Sequence, residues 1–351
     1  MEGMSKLGKI CISGPIHRPW IEAELKAAGC ELVLGKSYDD FPDFRYADAE
    51  LAGLIGDAEI LLVSSRDRVT GSVLGVCPGL IAVVKPNIGV EKVDIQAATE
   101  LGILVCNSPN PENFTGLAEA VVGLVVALMK RMKLNESRLR AGGWKSDENF
   151  GELIEGKVVG LVGMGRVGRE VARRFRGWEV RLLGYDPYVE GDKMKELGVE
   201  RVLLDELLRL SDVVSLHVVG TAENTHMIGA RELGMMKPTA YLVNTSRGEV
   251  VDEKELGRVL REGTIAGAAL DVFEEEPLPA ESPLRAVDPS RLILTPHVIG
   301  NSLAARDGGY RMAIESILSL LHGGVPPWVI NSEAVPRWRD RMARVKRERE
   351  A

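Results

Sequence analysis

Cysteine, long apolar runs and excess positive charge are all scarce in this sequence. The four cysteines, Cys11, Cys30, Cys77 and Cys106, are scattered with no CxxC spacing, so neither a disulfide framework nor a metal site is expected, and the thiols fit small buried residues in a reducing compartment. The longest apolar run, residues 117–129, is too short to cross a bilayer and predicts a buried helix. Because the N-terminal segment also lacks the apolar stretch of a secretory signal, we expect a cytoplasmic protein with no membrane partner.

The charge balance is acidic and the chain is long enough for more than one core. A formal charge of −7 argues against a nucleic-acid partner held by electrostatics. At 351 residues the chain favours two domains, because single cores stop growing at roughly 250–300 residues.

A strand, a glycine-rich turn and a helix follow one another within residues 157–186. The apolar stretch 158–162 has the length of a strand and runs into Gly163-Met164-Gly165-Arg166-Val167-Gly168, a G-x-G-x-x-G pattern. A helix with one apolar face follows, and then a second apolar strand that ends at Asp186. An acid about 20 residues beyond such glycines is the full context of a dinucleotide-binding unit. The remaining alternative is a glycine turn in an α/β sheet that binds nothing.

The residues of this unit have expected roles. Gly163 permits the tight turn, Gly165 lets a pyrophosphate approach the backbone, and Gly168 lets helix and strand pack closely. The N-terminus of the helix presents unpaired N–H groups to the phosphates. Asp186 would accept hydrogen bonds from ribose hydroxyls and repel a 2′-phosphate, so we expect NAD rather than NADP as the cofactor.

Strands and helices alternate along most of the chain, which indicates an α/β protein with parallel sheets covered by helices on both faces. One α/β unit ends near residue 106, a segment with the Pro and Asn content of a linker follows at 107–115, and a second unit begins after helices within 116–141. Several polar residues directly follow strands of the second unit and could face one crevice at the carboxyl ends of these strands: Asp186, His217, Arg247, Asp271 and His297.

Three segments carry side chains suited to anion binding and proton transfer. Arg247 lies in VNTSRGEVVD, Glu276 in LDVFEEEP and His297 in ILTPHVIGN. Taken separately, each has an ordinary structural interpretation: a surface cation, the end of a solvated acidic loop, and a hydrogen-bonded core histidine. Taken together, after a dinucleotide unit, they are far more specific.

The ordered motifs GMGRVGR, SLHVVGTAENTHMI, MMKPTAYLVNTSRGEVVDEKEL, GAALDVFEEEP and LTPHVIGNS resemble the D-isomer-specific 2-hydroxyacid dehydrogenase family, the group of phosphoglycerate, glycerate/hydroxypyruvate and D-lactate dehydrogenases. The resemblance implies an NAD-dependent oxidoreductase that transfers a hydride between nicotinamide and a small D-2-hydroxy acid or 2-keto acid. It implies that Arg247 binds the substrate carboxylate, that His297 is the acid/base, and that Glu276 pairs with His297. The chemistry agrees, because a guanidinium matches a carboxylate bidentately and an imidazole exchanges protons near neutral pH.

The resemblance also implies further cofactor contacts. Arg166 and Val167 match the family's pyrophosphate contacts, and Asp271 matches the residue that holds the nicotinamide carboxamide. Positions that line the cofactor crevice are matched by His217, Thr221 and Thr245.

The predicted substrate loop departs from the family pattern. The family's loop usually reads VGxGxDNVD, whereas residues 86–94 read PNIGVEKVD. Asn87, Ile88 and Gly89 are the expected substrate contacts, with Asn87 in place of a glycine. The amide of Asn87 either hydrogen-bonds the substrate or merely accompanies a left-handed backbone. Arg66 could read a distal anionic group, although a surface arginine is the more ordinary interpretation.

The family's architecture implies two Rossmann-like domains, with the cofactor domain inserted into a discontinuous substrate domain. On this chain the substrate domain would comprise residues 1–108 and 298–335, and the NAD-binding domain residues 109–297. Residues 336–351 would then be a charged tail, interpreted as a solvated or frayed end. The resemblance further implies a homodimer formed through the cofactor domain, with a small carboxylate as the substrate.

Three alternatives share this fold. One is a phosphite-type oxidase with the same three side chains. Another is a formate-dehydrogenase-like enzyme, which pairs its histidine with a glutamine where this chain has Glu276. The third is an NAD-sensing binding protein like the C-terminal-binding-protein corepressors. Turnover with 2-keto acids distinguishes the dehydrogenase from all three.

Overall fold

The computed structural model describes residues 7–350, which form two compact units. The first unit contains the described residues up to Glu112 and those from Leu303 onward, and the second unit is Asn113–Ser302. Each unit is built around one sheet, and all strand pairs within the two sheets are parallel. The predicted α/β class with two doubly wound sheets is confirmed.

The first unit begins with a five-stranded sheet in the order β2-β1-β3-β4-β5. Its strands are β1 (Gly8–Ile12), β2 (Cys30–Leu34), β3 (Ile60–Leu62), β4 (Ala82–Val84) and β5 (Leu104–Cys106). The helices between them are α1 (Pro19–Ala27), α2 (Asp48–Ile55), α3 (Gly71–Gly75) and α4 (Ile95–Glu100). Every residue of the central strands β3 and β4 and of the edge strand β5 is buried, as expected for parallel strands that are covered on both faces.

The second unit contains a seven-stranded sheet in the order β12-β11-β10-β9-β6-β7-β8. The chain enters it through α5 (Pro111–Met129) and α6 (Met132–Arg140). The strands are β6 (Val158–Val162), β7 (Arg181–Tyr185), β8 (Val199–Arg201), β9 (Val213–Leu216), β10 (Tyr241–Asn244), β11 (Gly267–Leu270) and β12 (Leu292–Leu294). The helices between them are α7 (Arg166–Arg174), α8 (Gly191–Lys195), α9 (Leu204–Leu210), α10 (Ala230–Leu233) and α11 (Glu253–Glu262).

The chain then returns to the first unit through α12 (Leu303–Leu321) and α13 (Val335–Glu350). Short 3-10 helices lie at Asp147–Asn149, Ala222–Asn224, Gly248–Val250, Pro283–Ala286 and Ser332–Ala334.

The strand order of both sheets turns back beside the first strand of the unit. In the first sheet β1 lies between β2 and β3, and in the second sheet β6 lies between β7 and β9. Helices that leave such a point go to opposite faces, so a crevice opens there at the carboxyl ends of the strands. In the second unit, this crevice lies where Gly163 and His217 follow β6 and β9.

Helix α5 begins earlier than the sequence indicates. Part of the segment predicted as a linker, from Pro111 onward, is helical, because proline fits the first turn of a helix, where its missing N–H is not needed.

By length and composition α5 is apolar enough to cross a membrane, with 33% of the tested window buried. Its buried side chains belong to the core of the second unit: Ala118, Val121, Leu124, Val125, Leu128 and Met129.

The charged C-terminal segment is folded onto the first unit. Helix α13 buries Trp338 completely in the apolar cluster on one face of the sheet. Arg341 donates hydrogen bonds to the backbone oxygens of Leu80, Leu101 and Cys77 at 2.6, 3.1 and 2.9 Å. The interpretation of residues 336–351 as a solvated or frayed end is therefore wrong for the described residues of this segment, because Trp338 and Val345 are buried among its charged residues.

Candidate active site

The glycine-rich turn after β6 is sterically tight at two positions and open at the third. Gly163 has φ +95°, and a Cβ there would lie 2.6 Å from the backbone oxygen of His217. A Cβ on Gly168 would lie 2.1 Å from the oxygen of Gly163. By contrast, a Cβ built on Gly165, at the N-terminus of α7, would have no heavy atom of the described residues within 4 Å, its chain neighbours aside. The open space therefore lies where the N–H groups of the helix start are exposed.

Asp186 lies directly beside this turn. Its carboxylate accepts hydrogen bonds from the N–H of Met164 at 2.8 Å and from the N–H of Tyr188 at 2.9 Å. Each carboxylate oxygen has a second lone pair, so the group can still accept from a ligand. Arg166, the first residue of α7, has its guanidinium 5.2 Å from the ring centre of Phe114, while Val167 packs against the core.

Two neighbouring strand ends carry buried polar atoms that lack partners among the described residues. Both ring nitrogens of His217, after β9, and the hydroxyl of Thr245, after β10, are buried without a hydrogen bond. Burial lowers the pKa of His217 to about 3, so the ring is neutral. A buried polar group without a partner costs about 1–3 kcal/mol, and such groups mark places where a ligand completes the hydrogen bonding. The open turn and these orphaned atoms fit a polar cofactor such as NAD.

Thr221, by contrast, is not buried. It is exposed and precedes the 3-10 helix Ala222–Asn224, in the loop that follows β9.

The loop after β10 holds Arg247 by backbone contacts. The side chain of Asn244 donates to the oxygen of Arg247 at 2.8 Å and accepts from the N–H of Ser246 at 3.0 Å. The next residue, Gly248, lies so close to the loop after β11 that a Cβ would come within 1.9 Å of the carbonyl carbon of Phe273. The half-buried Arg247 is therefore fixed at its base against the loop that carries Glu276.

His297 and Glu276 form a close pair. The Nδ1 atom of His297 lies 2.9 and 3.1 Å from the two carboxylate oxygens of Glu276. The hydrogen bond to Glu276 raises the pKa of His297 against the opposing effect of burial; Asp271 raises this pKa further, and Arg247 lowers it. Because Nδ1 faces the carboxylate, Nε2 is the nitrogen left for proton exchange with a ligand.

Asp271 holds the loop that carries His297. It is buried, and its carboxylate accepts from the hydroxyl of Thr295 at 2.6 Å and from the N–H groups of Val298 and Ile299 at 3.0 and 3.2 Å. His297 itself has φ +50°. A left-handed backbone at a non-glycine residue is strained and persists only where its surroundings fix it. The hydrogen bonds to Asp271 supply that fixation.

The predicted substrate loop lies in the first unit, after β4. The backbone oxygens of Asn87 and Ile88 accept from the N–H of Ser108 at 3.0 Å and from the side chain of Asn107 at 2.9 Å. Asn87 Oδ1 is buried without a partner among the described residues. Asn87 is not one of the residues with positive φ, so the alternative that it serves a left-handed backbone is wrong.

Arg66 is neither a surface residue nor free to bind a ligand. Its side chain is 1% exposed and makes an ion pair with Asp67 at 3.3 Å. The remaining N–H groups donate to backbone oxygens of the first unit, at Ser13, Lys36, Ser37 and Phe41. The surface interpretation is wrong, and a distal anion would have to compete with carbonyl groups already in place.

The structure thus gathers most of the predicted residues at the carboxyl edge of the second sheet and leaves the predicted substrate loop on the first unit. Sequence reasoning missed the residues that brace these loops, namely Asn107, Ser108 and Asn244. The available signal was an Asn or Ser at the end of an apolar strand or in the two positions after it.

Comparisons with known proteins agree with this geometry. Residues 122–298 match the family described as D-isomer specific 2-hydroxyacid dehydrogenase, NAD binding domain. A glyoxylate reductase of Korarchaeum cryptofilum is 40% identical over 80% of this chain and 85% of that protein. A D-3-phosphoglycerate dehydrogenase of Methanocaldococcus jannaschii is 33% identical over 94% of this chain and 60% of that protein.

Solved structures show the same likeness. The D-lactate dehydrogenase of Aquifex aeolicus, solved with NAD and lactic acid, has a TM-score of 0.79 and 26% identity over 92% of this chain and 99% of that one. A protein of Thermus thermophilus has a TM-score of 0.82 and 30% identity with the same coverage. This chain therefore belongs to the D-isomer-specific 2-hydroxyacid dehydrogenases, oxidoreductases that use NAD.

Proposed function

We propose that Arg247, Glu276 and His297 carry out the family's reaction on a small 2-keto or 2-hydroxy acid. The observation that carries this proposal is the contact of 2.9 Å between His297 Nδ1 and the carboxylate of Glu276. It fixes the tautomer of the ring, raises its pKa and directs Nε2 towards the reacting oxygen. NADH, when bound, supplies the hydride. Arg247 orients the substrate carboxylate, and His297 delivers the proton to the carbonyl oxygen.

The cofactor would be held by the turn, the acid beside it and the orphaned polar groups. Gly165 leaves room for the pyrophosphate at the N-terminus of α7, and Asp186 accepts from the adenosine ribose. The other proposed contacts are Gly163, Gly168, Arg166, Val167, His217, Thr221, Thr245 and Asp271.

The substrate would be a small carboxylate, and glyoxylate is the first candidate. Relatives named glyoxylate reductase cover most of this chain, and one from Thermofilum pendens is 37% identical over 87% of it. A distal phosphate, as in a 3-phosphoglycerate substrate, has no support from Arg66, because its donors are occupied. Asn87, Ile88 and Gly89 are the other proposed substrate contacts, and the buried Oδ1 of Asn87 would accept a hydrogen bond from the hydroxyl of a 2-hydroxy acid.

Exposed apolar side chains, buried cysteines and the net charge support the proposals for assembly and location. We expect a homodimer formed through the second unit, because large apolar side chains are exposed there: Met132, Leu139, Trp144, Phe150 and Leu153. A cytoplasmic location agrees with four buried free cysteines. The acidic net charge of −7 gives no basis for a nucleic-acid partner.

Oxidation of NADH with a panel of 2-keto acids tests the proposal. Glyoxylate, hydroxypyruvate, pyruvate and phosphohydroxypyruvate would be compared at one pH, and glyoxylate or hydroxypyruvate should give the highest kcat/KM. An NADH-binding protein that turns over none of them would contradict the proposal and favour a binding role.

Arg247→Ala tests the carboxylate contact. Loss of this charged hydrogen-bond partner should cost roughly 2–5 kcal/mol, or about 30- to 4,000-fold in kcat/KM. Arg209→Ala, at an exposed arginine of α9, is the control and should leave kcat/KM within a few-fold. If the two variants behave alike, the role assigned to Arg247 is wrong.

A further inference from the structure

A second histidine–glutamate pair involves the loop that carries Glu276. Glu274 precedes Glu276 by two residues, and its Oε1 lies 3.2 Å from Nε2 of His226. The other ring nitrogen of His226 lies 3.9 Å from Asp252 Oδ2. The proposed reaction uses none of these three side chains.

Glu274 is also tied to the start of α11 by a reciprocal contact. The carboxylate of Glu274 accepts from the N–H of Glu253 at 2.9 Å, and the carboxylate of Glu253 accepts from the N–H of Glu274 at 2.6 Å. Glu253 is 9% exposed, and burial raises its pKa. Two backbone N–H groups are thus satisfied by two side chains, which fixes the loop after β11 to the first turn of the helix.

His226 is anchored to the segment that follows Arg247. Its N–H donates to the oxygen of Glu249 at 2.8 Å, and the N–H of Ile228 donates to Val250 at 3.0 Å. His226 has φ +53°, a strained value for a non-glycine residue. Its ring therefore connects the segment after Arg247 to the loop that carries Glu276, and the strained backbone that carries the ring is held by these hydrogen bonds.

The position of Glu276 depends on the backbone of this loop. Glu276 Oε1 accepts from the N–H of Phe273, the residue before Glu274, at 3.2 Å. A shift of the 273–276 backbone would therefore move the carboxylate away from His297 Nδ1. The charged groups that set the pKa of His297 are Glu276, Asp271 and Arg247; of these, Glu276 lies on the braced loop.

We propose that Glu274, braced by His226 and Glu253, is a positioning residue that holds Glu276 against His297. It acts through Glu276 and contacts neither substrate nor cofactor. Without it, Glu276 engages His297 less, the pKa of His297 falls, and less imidazolium is present at alkaline pH to protonate the keto acid. This step of the argument rests on the proposed function, whereas the effect on the pKa of His297 does not.

The first test measures the ionisation of His297 without turnover. The chain has five histidines, so NMR titration of ring-labelled histidine can follow His297 in the whole protein, with His297→Gln to assign its signal. Glu274→Ala should lower the titration midpoint of His297. Glu275→Gln, which removes a charge from the exposed neighbouring residue, should leave it unchanged. An unchanged midpoint in Glu274→Ala, or an equal shift in Glu275→Gln, would overturn the proposal.

The second test is the pH profile of keto acid reduction. In Glu274→Ala the alkaline limb of kcat should move to lower pH, with a rate about tenfold lower above the midpoint, as expected when the pKa of an acid catalyst falls by one unit. KM should stay within about threefold, because Arg247 keeps its own contacts. A fall in rate with the limb unmoved would indicate a merely structural role and refute the proposal.

Milder variants keep the test decisive if Glu274→Ala does not fold. Glu274→Gln keeps one acceptor and should give a smaller shift in the same direction. His226→Gln retains a side-chain donor for Glu274 and should stay closer to the parent protein than His226→Ala. Equal behaviour of the two His226 variants would argue against the brace. If the parent protein reduces no 2-keto acid, the proposed function fails while the NMR result still decides this inference.

Discussion

The two sheets have the same topology where their strand order turns back. The polar side chains after these strands are hydrogen-bonded to one another in the first unit, whereas in the second unit some of them lack partners among the described residues. In the first unit a Cβ on Gly14 would lie 2.7 Å from Ser64, and in the second a Cβ on Gly163 would lie 2.6 Å from His217, so both strand ends are tightly packed. In the first unit the hydroxyls of Ser13 and Ser64 donate to Asp67 at 2.7 and 2.6 Å. Together with Arg66, which donates to Asp67, these side chains satisfy one another, and we call Ser13, Ser64, Arg66 and Asp67 the closed cluster.

The corresponding polar groups of the second unit lack such partners, and we call the carboxyl edge that carries them the open edge. The ring nitrogens of His217 and the hydroxyl of Thr245 are buried without partners among the described residues, although the strand end beside them is also tightly packed. Topology alone therefore does not determine which turning point binds a nucleotide. The side chains after the strands decide it, because a polar edge that satisfies itself offers nothing to a ligand, whereas an unsatisfied edge gains by binding one.

Replacement of Arg66, the cation of the closed cluster, should have the largest effect, which is a loss of unfolding free energy. Arg66→Met leaves Asp67 and several backbone oxygens without their buried donor, and breaking such a buried pair costs about 3–5 kcal/mol of unfolding free energy. Urea denaturation should show this loss, while the NADH affinity of the folded protein stays unchanged. Arg68→Met, at the exposed arginine two residues on, should change neither; if it matched Arg66→Met, the cluster would not be the cause.

Replacement of Asp186, the acid of the open edge, should have an intermediate effect, which is a weaker preference for NADH over NADPH. Asp186→Ala removes an acceptor for the ribose, and a hydrogen bond to a charged group is worth about 1.5–3 kcal/mol. The ratio of kcat/KM for NADH over NADPH should fall by about tenfold or more. Asp186→Asn keeps an acceptor for the N–H of Met164 and separates the loss of charge from disturbance of the turn. An unchanged ratio in both variants would refute the ribose assignment.

Thr245→Val should give the smallest change in the free energy of unfolding, and this change should be zero or stabilising. It replaces a buried hydroxyl that has no partner among the described residues, so the free protein should be unchanged or up to about 1 kcal/mol more stable, while NADH binding weakens. Thr99→Val is the contrasting variant, because Thr99 donates to Ile95 at 2.8 Å; it should lose about 1 kcal/mol. Thermal denaturation with and without NADH checks both, and a destabilised Thr245→Val would mean that its hydroxyl already has a partner.

The sequence predicted the parts of this protein that depend on local pattern. Apolar strands followed by polar residues identified the edge where Asp186, Arg247 and His297 lie, because side chains after parallel strands share one end of a sheet. Burial of charged residues was not predictable in this way. Arg66 is buried by carbonyl groups about 25–53 residues earlier in the chain. Trp338 is buried against the first sheet, from which it is separated in the sequence by the whole second unit.

The central claim is that the open edge of the second unit binds the cofactor, and Gly165→Ala tests it most directly. Apart from its chain neighbours, a Cβ at Gly165 meets no atom of the described part of the chain within 4 Å, and the φ of −69° suits alanine. The variant should therefore melt as the parent protein does, or slightly higher. Its affinity for NADH, measured by calorimetry, should fall by about 100-fold, because the new methyl group occupies the space of the pyrophosphate. An equally stable variant that binds NADH as tightly as the parent would contradict the account.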